Sequence, residues 1–246
     1  MSIFNPERYD HVVSLNIDIQ NDFCPGGSLA VADGDQVVEP MNRVNEFVRA
    51  RNGTVLFTRD WHPRETNHFN TSGGPWPPHC IAYQAGAAFH EDLIVDTRAG
   101  DLVASKGTLP DRDDYSGLMA VMDTRTIWDG RDHYRPSLAM YLTHGLRNMQ
   151  VTKEKTTRLK AIDSLAILIG GLATDYCVKA TVLDLLELRK TNKRLQDMGI
   201  FIIEDAIRAV NVNEKDGAVA IQEMSDAGAE FIKSKNIPLS MEAQLL

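Results

Sequence analysis

Leu165-Ala-Ile-Leu-Ile-Gly-Gly-Leu-Ala-Thr-Asp-Tyr-Cys177 runs from a short apolar block, through a glycine pair, into a helical pattern. The block Leu165–Ile169 reads as a strand that Gly170-Gly171 ends. From Asp175 to Arg189, Val178, Val182, Leu185, Leu186 and Leu188 supply one apolar surface, which reads as a helix. The same unit recurs in both directions. Towards the N-terminus, His11–Asp18, Thr54–Thr58 and the shorter Leu102–Ser105 are apolar strands. Between the first two, Val38, Met41, Val44, Phe47 and Val48 recur at helical spacing, and Gly53 supplies a stop. Towards the C-terminus, Ile200–Ile203 and Glu230–Lys233 are strands around a helix from Lys215 to Ala227. Strand–helix alternation predicts parallel strands joined by crossover helices. Near-continuous apolar strands predict a sheet covered on both faces. The expected fold is α/β: an open, mainly parallel, six-stranded sheet with helices on both faces.

The chain of 246 residues shows no internal repeat, linker or domain boundary, so one domain spanning 1–246 is expected. Two segments interrupt the alternation, 60–90 and 119–160. The second holds a helical stretch around Leu138–Met149 and then a charged connection, and it reads as an insertion on the surface. The formal charge of −8 and the absence of a basic block argue against nucleic acid as a partner. No apolar run approaches the ~18 residues that would span a membrane, and Met1–Asp10 lacks the apolar core of a signal peptide. Three widely spaced cysteines, Cys24, Cys80 and Cys177, do not make a disulfide framework. A reducing, cytoplasmic location is expected.

The segment 60–90 carries the first chemical signal. Asp60-Trp-His62, His68 and His79 place a carboxylate and three imidazoles within twenty residues, directly after a strand. That donor set suits a divalent transition metal and leaves positions for water or substrate. The alternative is a polar loop that is merely rich in histidine.

In an open parallel sheet, ligands bind beyond the carboxyl ends of the strands. The sequence puts Asp18, Asp60, Lys106 and the Gly170–Cys177 turn at four such ends. Cys177 at a helix start would be favoured as a thiolate by the free N–H groups and the dipole, and the same N–H groups could hold an oxyanion. It could equally be an inert buried thiol, the reading given to Cys24 and Cys80. Asp18 is either a turn cap or a general base for the thiol. Lys106 is either a solvated surface residue or a charge that lowers the pKa of both neighbours. Phe23, Trp76 and Tyr115 are either satellite core clusters or walls of a planar pocket.

Taken together, Asp18-Ile-Gln-Asn-Asp-Phe-Cys-Pro-Gly-Gly-Ser-Leu, the Asp60/His62/His68 spacing, Trp76-Pro-Pro-His79-Cys80, Lys106-Gly107 and Gly171-Leu-Ala-Thr-Asp-Tyr-Cys177-Val resemble the nicotinamidases of the isochorismatase-like cysteine hydrolases. The resemblance covers about residues 11–233. It implies a catalytic triad of Cys177 as nucleophile, Asp18 as base and Lys106 as charged partner. It implies one divalent metal, zinc first with iron or manganese as alternatives, on Asp60, His62, His68 and His79. It implies an oxyanion hole from the backbone of Ala173 and Cys177, a cis peptide before Ala173, and a nicotinamide pocket lined by Phe23, Trp76 and Tyr115. The implied reaction is hydrolysis of nicotinamide to nicotinate and ammonia in NAD salvage. A homo-oligomer is compatible with this reading, and 119–160 exceeds the family's usual connection. The rivals are a ureido or carbamoyl amidase, an isochorismatase, and a non-catalytic metal-binding or redox-sensing protein.

Overall fold

The computed structural model describes residues 4–123, 126–128, 131–146 and 164–238. The main sheet contains β1 (His11–Ile17), β2 (Thr54–Asp60), β3 (Leu102–Lys106), β4 (Val121–Met122), β7 (Leu165–Leu172), β8 (Gly199–Arg208) and β9 (Glu230–Ile232). Their order is β4-β3-β2-β1-β7-β8-β9, while β5 (Thr126–Trp128) and β6 (Arg131–Tyr134) form a separate hairpin. Every pairing in the main sheet is parallel except that of β3 with β4.

The six expected strands are all present, and among the described residues the sheet has seven. The extra strand, β4, is an antiparallel edge of two residues whose Val121 is exposed, so it leaves no apolar run or alternation to read. Antiparallel edges on parallel sheets are common, because an edge needs no crossover.

Alternating side chains of the strands feed two cores. On one face, Val13, Leu15 and Ile17 of β1 and Ile167 and Ile169 of β7 pack with Val178, Val182, Leu185 and Leu186. Three of these belong to the helix α2 (Lys179–Thr191), and Met224 of α3 (Asp216–Asp226) joins the same cluster. On the other face, Val55, Phe57, Ala166 and Leu168 pack under α1 (Val38–Ala50) through Val38, Met41, Val44, Phe47 and Val48. Each such fully buried aliphatic or aromatic side chain contributes about 1.5–3 kcal/mol. A polar tie also fixes α1 to the sheet. Ser14 Oγ donates to Asn45 Oδ1 at 2.6 Å, and Asn45 Nδ2 donates to Asn16 Oδ1 at 3.0 Å.

The expectation of a surface insertion at 119–160 needs correction where it is described. Leu138 begins a short helical turn (Leu138–Met140) that widens at Tyr141–Gly145, and Leu138, Tyr141, Leu142 and Leu146 enter the first core. The charged remainder, residues 147–160, lies outside the described residues. Among the described residues, no helix is long and apolar enough to cross a membrane.

The order of strands reverses at β1. From β1 the chain proceeds outward through β2 and β3, then returns to place β7 on the opposite side. The crevice at such a switch point is where open α/β sheets bind ligands. Asp18 follows β1, and the Ala173–Cys177 turn follows β7, with Ile17 and Gly171 paired in register between them.

Candidate active site

Four strand ends converge on Lys106. Asp60 and Lys106 close β2 and β3 as register partners, so the two side chains emerge from adjacent positions. Asp18 has φ +48°, a left-handed conformation that aspartate tolerates better than most residues, and there the chain leaves β1. Gly171, at φ +129°, passes so close to β1 that a Cβ there would lie 2.0 Å from the Ile17 carbonyl oxygen. The turn Thr174–Val178 is wound more widely than an α-helix and leads into α2, with Cys177 in its second half.

Lys106 is 1% exposed and its ammonium is fully committed. Nζ lies 2.9 Å from Asp18 Oδ2, donates to Asp60 Oδ1 at 2.5 Å, and donates to Cys177 Sγ at 3.4 Å. Thr58 Oγ1 donates to the other Asp18 oxygen at 2.7 Å. Cys177 Sγ lies within 4.8 Å of a carboxylate oxygen of both Asp18 and Asp60. Gln20, fully buried, locks Asp60 from behind: its Nε2 donates to the Asp60 carbonyl at 2.8 Å, and its Oε1 accepts the Asp60 N–H at 2.7 Å.

The electrostatics differ from the expectation of a thiolate. Burial pushes the Cys177 thiol well above its usual range, and the attraction of Lys106 only partly opposes it. Burial likewise raises Asp18 despite Lys106. Burial would raise Asp60 too, but there the Lys106 ammonium, helped by His62, holds the carboxyl well below the usual range. Lys106 loses from burial and gains more from Asp18 and Asp60, so it remains charged. The resting site therefore holds a neutral thiol beside a carboxylate of raised basicity. Desolvation outweighs the lysine because the whole cluster is sealed from water.

The three histidines are gathered by two local folds of the 60–90 segment. The His62 N–H donates to Cys80 and the Ala82 N–H donates to His62, which brings His79 back beside His62. The Trp76 N–H reaches the His68 carbonyl, and the Asn70 N–H donates to Trp76, closing a smaller loop. One ring nitrogen from each of His62, His68 and His79 lies within 4.8 Å of the other two. His62 Nδ1 is 3.0 Å from the Gly107 carbonyl and His79 Nδ1 is 2.7 Å from the Pro77 carbonyl, which assigns the proton to Nδ1 in both. His62 Nε2 is buried and without a hydrogen-bond partner. Burial lowers His79 to about 4, so it is neutral at pH 7. Buried, converging imidazole nitrogens, two of them with carbonyls behind them, fit a divalent transition metal. Gly107, at φ +62°, is required here, because a Cβ would stand 2.4 Å from His62 Cε1. Asp60 bridges the two halves: Oδ1 serves Lys106, while Oδ2 is 3.7 Å from His62 Nε2.

A cavity opens onto both halves. Phe23, Trp76, Tyr115, Ala173, Cys177, His68, His79 and Asp60 all line it, and the peptide Leu172–Ala173 is cis. Its remaining walls were not singled out from the sequence. Tyr176 meets Trp76 edge-on at 4.9 Å and Tyr115 at 5.8 Å, closing an aromatic cage. Its position beside Cys177 was the available signal. Val210 was invisible, because it is placed by Asp175, whose carboxylate accepts the N–H groups of Val210 and Asn211 at 2.9 and 2.8 Å. Cys24 and Cys80 are buried elsewhere and do not line this cavity.

Comparison with known proteins agrees with this geometry. The isochorismatase domain family matches residues 12–110. The nicotinamidase of Escherichia coli K12 is 34% identical over 231 residues, covering 87% of this chain and 91% of that protein. The pyrazinamidase of Pyrococcus horikoshii, solved in complex with zinc, has a TM-score of 0.66 and 28% identity over 91% of this chain and 99% of that one. PnC1 of L. infantum, solved in complex with nicotinate, has a TM-score of 0.66 and 29% identity over 92% of this chain and 94% of that one. With a triad-like cluster, a histidine cluster and an aromatic cavity on one sheet edge, and a relative of this identity along nearly its whole length, the chain belongs to the nicotinamidase family of isochorismatase-like hydrolases.

Proposed function

We propose that this protein hydrolyses nicotinamide to nicotinate and ammonia through a thioester on Cys177, and that it serves NAD salvage in the cytoplasm. The carrying observation is that Lys106 joins Asp18 and Cys177, and that Cys177 lines a cavity also lined by His68, His79 and four aromatic rings. The names of the relatives point to the same substrate class. The histidines weigh against a carbamoyl amidase, which has no need of them.

Asp18 takes the thiol proton as Sγ attacks the carboxamide carbon. Its raised pKa suits it to that transfer, since a stronger base draws the proton from a buried thiol more readily. The tetrahedral oxyanion would rest on the backbone N–H groups of Ala173 and Cys177. Asp18 then gives its proton to the amide nitrogen, the C–N bond breaks, and ammonia leaves. Water, deprotonated by Asp18, attacks the thioester carbon; the C–S bond breaks, and the proton returns to sulfur. Lys106 keeps its charge throughout and holds Asp18 and Cys177 in place. His62, His68 and His79, with Asp60 alongside, would hold a divalent metal, with zinc favoured by the donor set and iron or manganese as alternatives. When bound, that ion supplies a Lewis-acid anchor for the pyridine nitrogen. Phe23, Trp76 and Tyr115 would flank the ring.

The direct test is ammonia release from nicotinamide with parallel detection of nicotinate. Folded, metal-replete protein that releases neither would overturn the reading. His62→Ala or His79→Ala should lower bound metal and weaken nicotinamide binding at least about tenfold, as seen by elemental analysis and titration. Full activity of the wild type in a strong chelator, with no metal present, would contradict this.

Asp18→Asn keeps the shape and removes the proton acceptor. Turnover should collapse, and Cys177 should react more slowly with a small alkylating agent at neutral pH. Unchanged alkylation and turnover would make Asp18 a structural cap.

A further inference from the structure

Asp60 is not the carboxylate nearest the histidines. Asp113 Oδ1 lies 2.6 Å from His68 Nδ1, against 3.7 Å between Asp60 and His62. The contact is short but off the line of a straight N–H···O bond, since His68 Nδ1 has no aligned partner. Asp113 also interacts with the Tyr115 hydroxyl, and that hydroxyl accepts from Trp76 Nε1 at 2.9 Å. The indole of Trp76 and the phenol of Tyr115 both line the cavity. The donors are consistent along the whole chain. Indole N–H can only donate, the phenol accepts it and donates onward, and the carboxylate only accepts.

We infer that Asp113 is a positioning residue for the metal site, fixing the ring of His68 and, through Tyr115 and Trp76, tying the aromatic wall of the cavity to the histidine cluster. The inference rests on the metal-dependent reading proposed above and adds to it a residue that the histidine spacing does not contain. A carboxylate on the far nitrogen of a ligating histidine sets its orientation and basicity. Here one side chain meets Nδ1 of His68, which leaves Nε2 for an ion, and also stands beside the substrate wall. The consequence is that a change at the phenol, which contacts no candidate metal ligand by a hydrogen bond, should reach the metal.

The test measures zinc affinity of the full chain by competition with a chromogenic chelator, without substrate. Asp113→Asn should weaken zinc binding about 10–100-fold. Tyr115→Phe removes the acceptor of Trp76 and the donor to Asp113, and should weaken zinc binding by a smaller factor. The double variant should be no weaker than Asp113→Asn alone, because the two residues act in one chain. Circular dichroism checks that each variant is folded. Unchanged affinity in Asp113→Asn would overturn the proposal, as would a wild type that binds no zinc. Fully additive losses would overturn the link through Tyr115. Zinc affinity that falls as expected in a protein that releases no ammonia would reject the activity and leave the role of Asp113 standing.

Discussion

Cys177→Ala is expected to abolish ammonia release from nicotinamide, with a loss on the order of 10⁴-fold or more, because no other group in the cavity can form the thioester. Metal content and fold should be unchanged. The thiol fills little space, and the histidine cluster does not depend on it: Cys177 groups with Asp18 and Asp60, not with His62, His68 and His79. Cys24→Ala is the control and should be far milder. Cys24 is buried away from the cavity, and burial holds its thiol near a pKa of about 11. Single-turnover assays beside elemental analysis decide the matter. Substantial turnover in folded, metal-replete Cys177→Ala would remove the nucleophile assignment and the thioester with it.

Lys106→Met should be nearly as damaging to activity, and it should also damage the fold. The ammonium is the shared partner of two buried carboxylates. Removing one member of a buried ion cluster typically costs about 3–5 kcal/mol, because the charges left behind are neither solvated nor paired. Asp60 is the more exposed to this loss, since Lys106 is the main influence keeping its carboxyl low against burial. Urea denaturation of the variant should show the loss, and Asp60→Asn placed on top of Lys106→Met should recover part of it. Turnover should fall at least about 10²-fold, as Asp18 and Cys177 lose the donor between them. Stability within about 0.5 kcal/mol of the wild type would mean that the cluster is not held by charge.

The strands that carry chemistry were legible because they are short, apolar and uninterrupted. β1, β2, β3 and β7 all begin at the expected residues, and each candidate acid or base stands at or just beyond a strand end. What failed was local. β4 has two residues and no pattern. The helix expected from Asp175 begins instead as a wide turn, so Cys177 is not at the mouth of a regular helix. Its ionisation could not be read either, because the sequence shows a neighbouring lysine but not the burial that outweighs it. The histidine cluster was legible in composition; its proton assignments were not. They depend on the carbonyls of Gly107 and Pro77, backbone atoms that carry no mark in the sequence. Asp113 escaped notice for a similar reason, since it lies 45 positions from His68 and outside the histidine segment.

The pairing of Asp60 with Lys106 across β2 and β3 has a consequence for how the molecule comes to be active. Both residues are buried on the same edge only in one alignment of the two strands. Sliding one strand by a single residue would turn every side chain to the opposite face. A misaligned sheet could be compact and apolar inside and still have no ammonium between its two acids. Enzyme activity is thus a readout of strand alignment during refolding, more discriminating than compactness or helical content, and recovery of turnover should lag behind collapse.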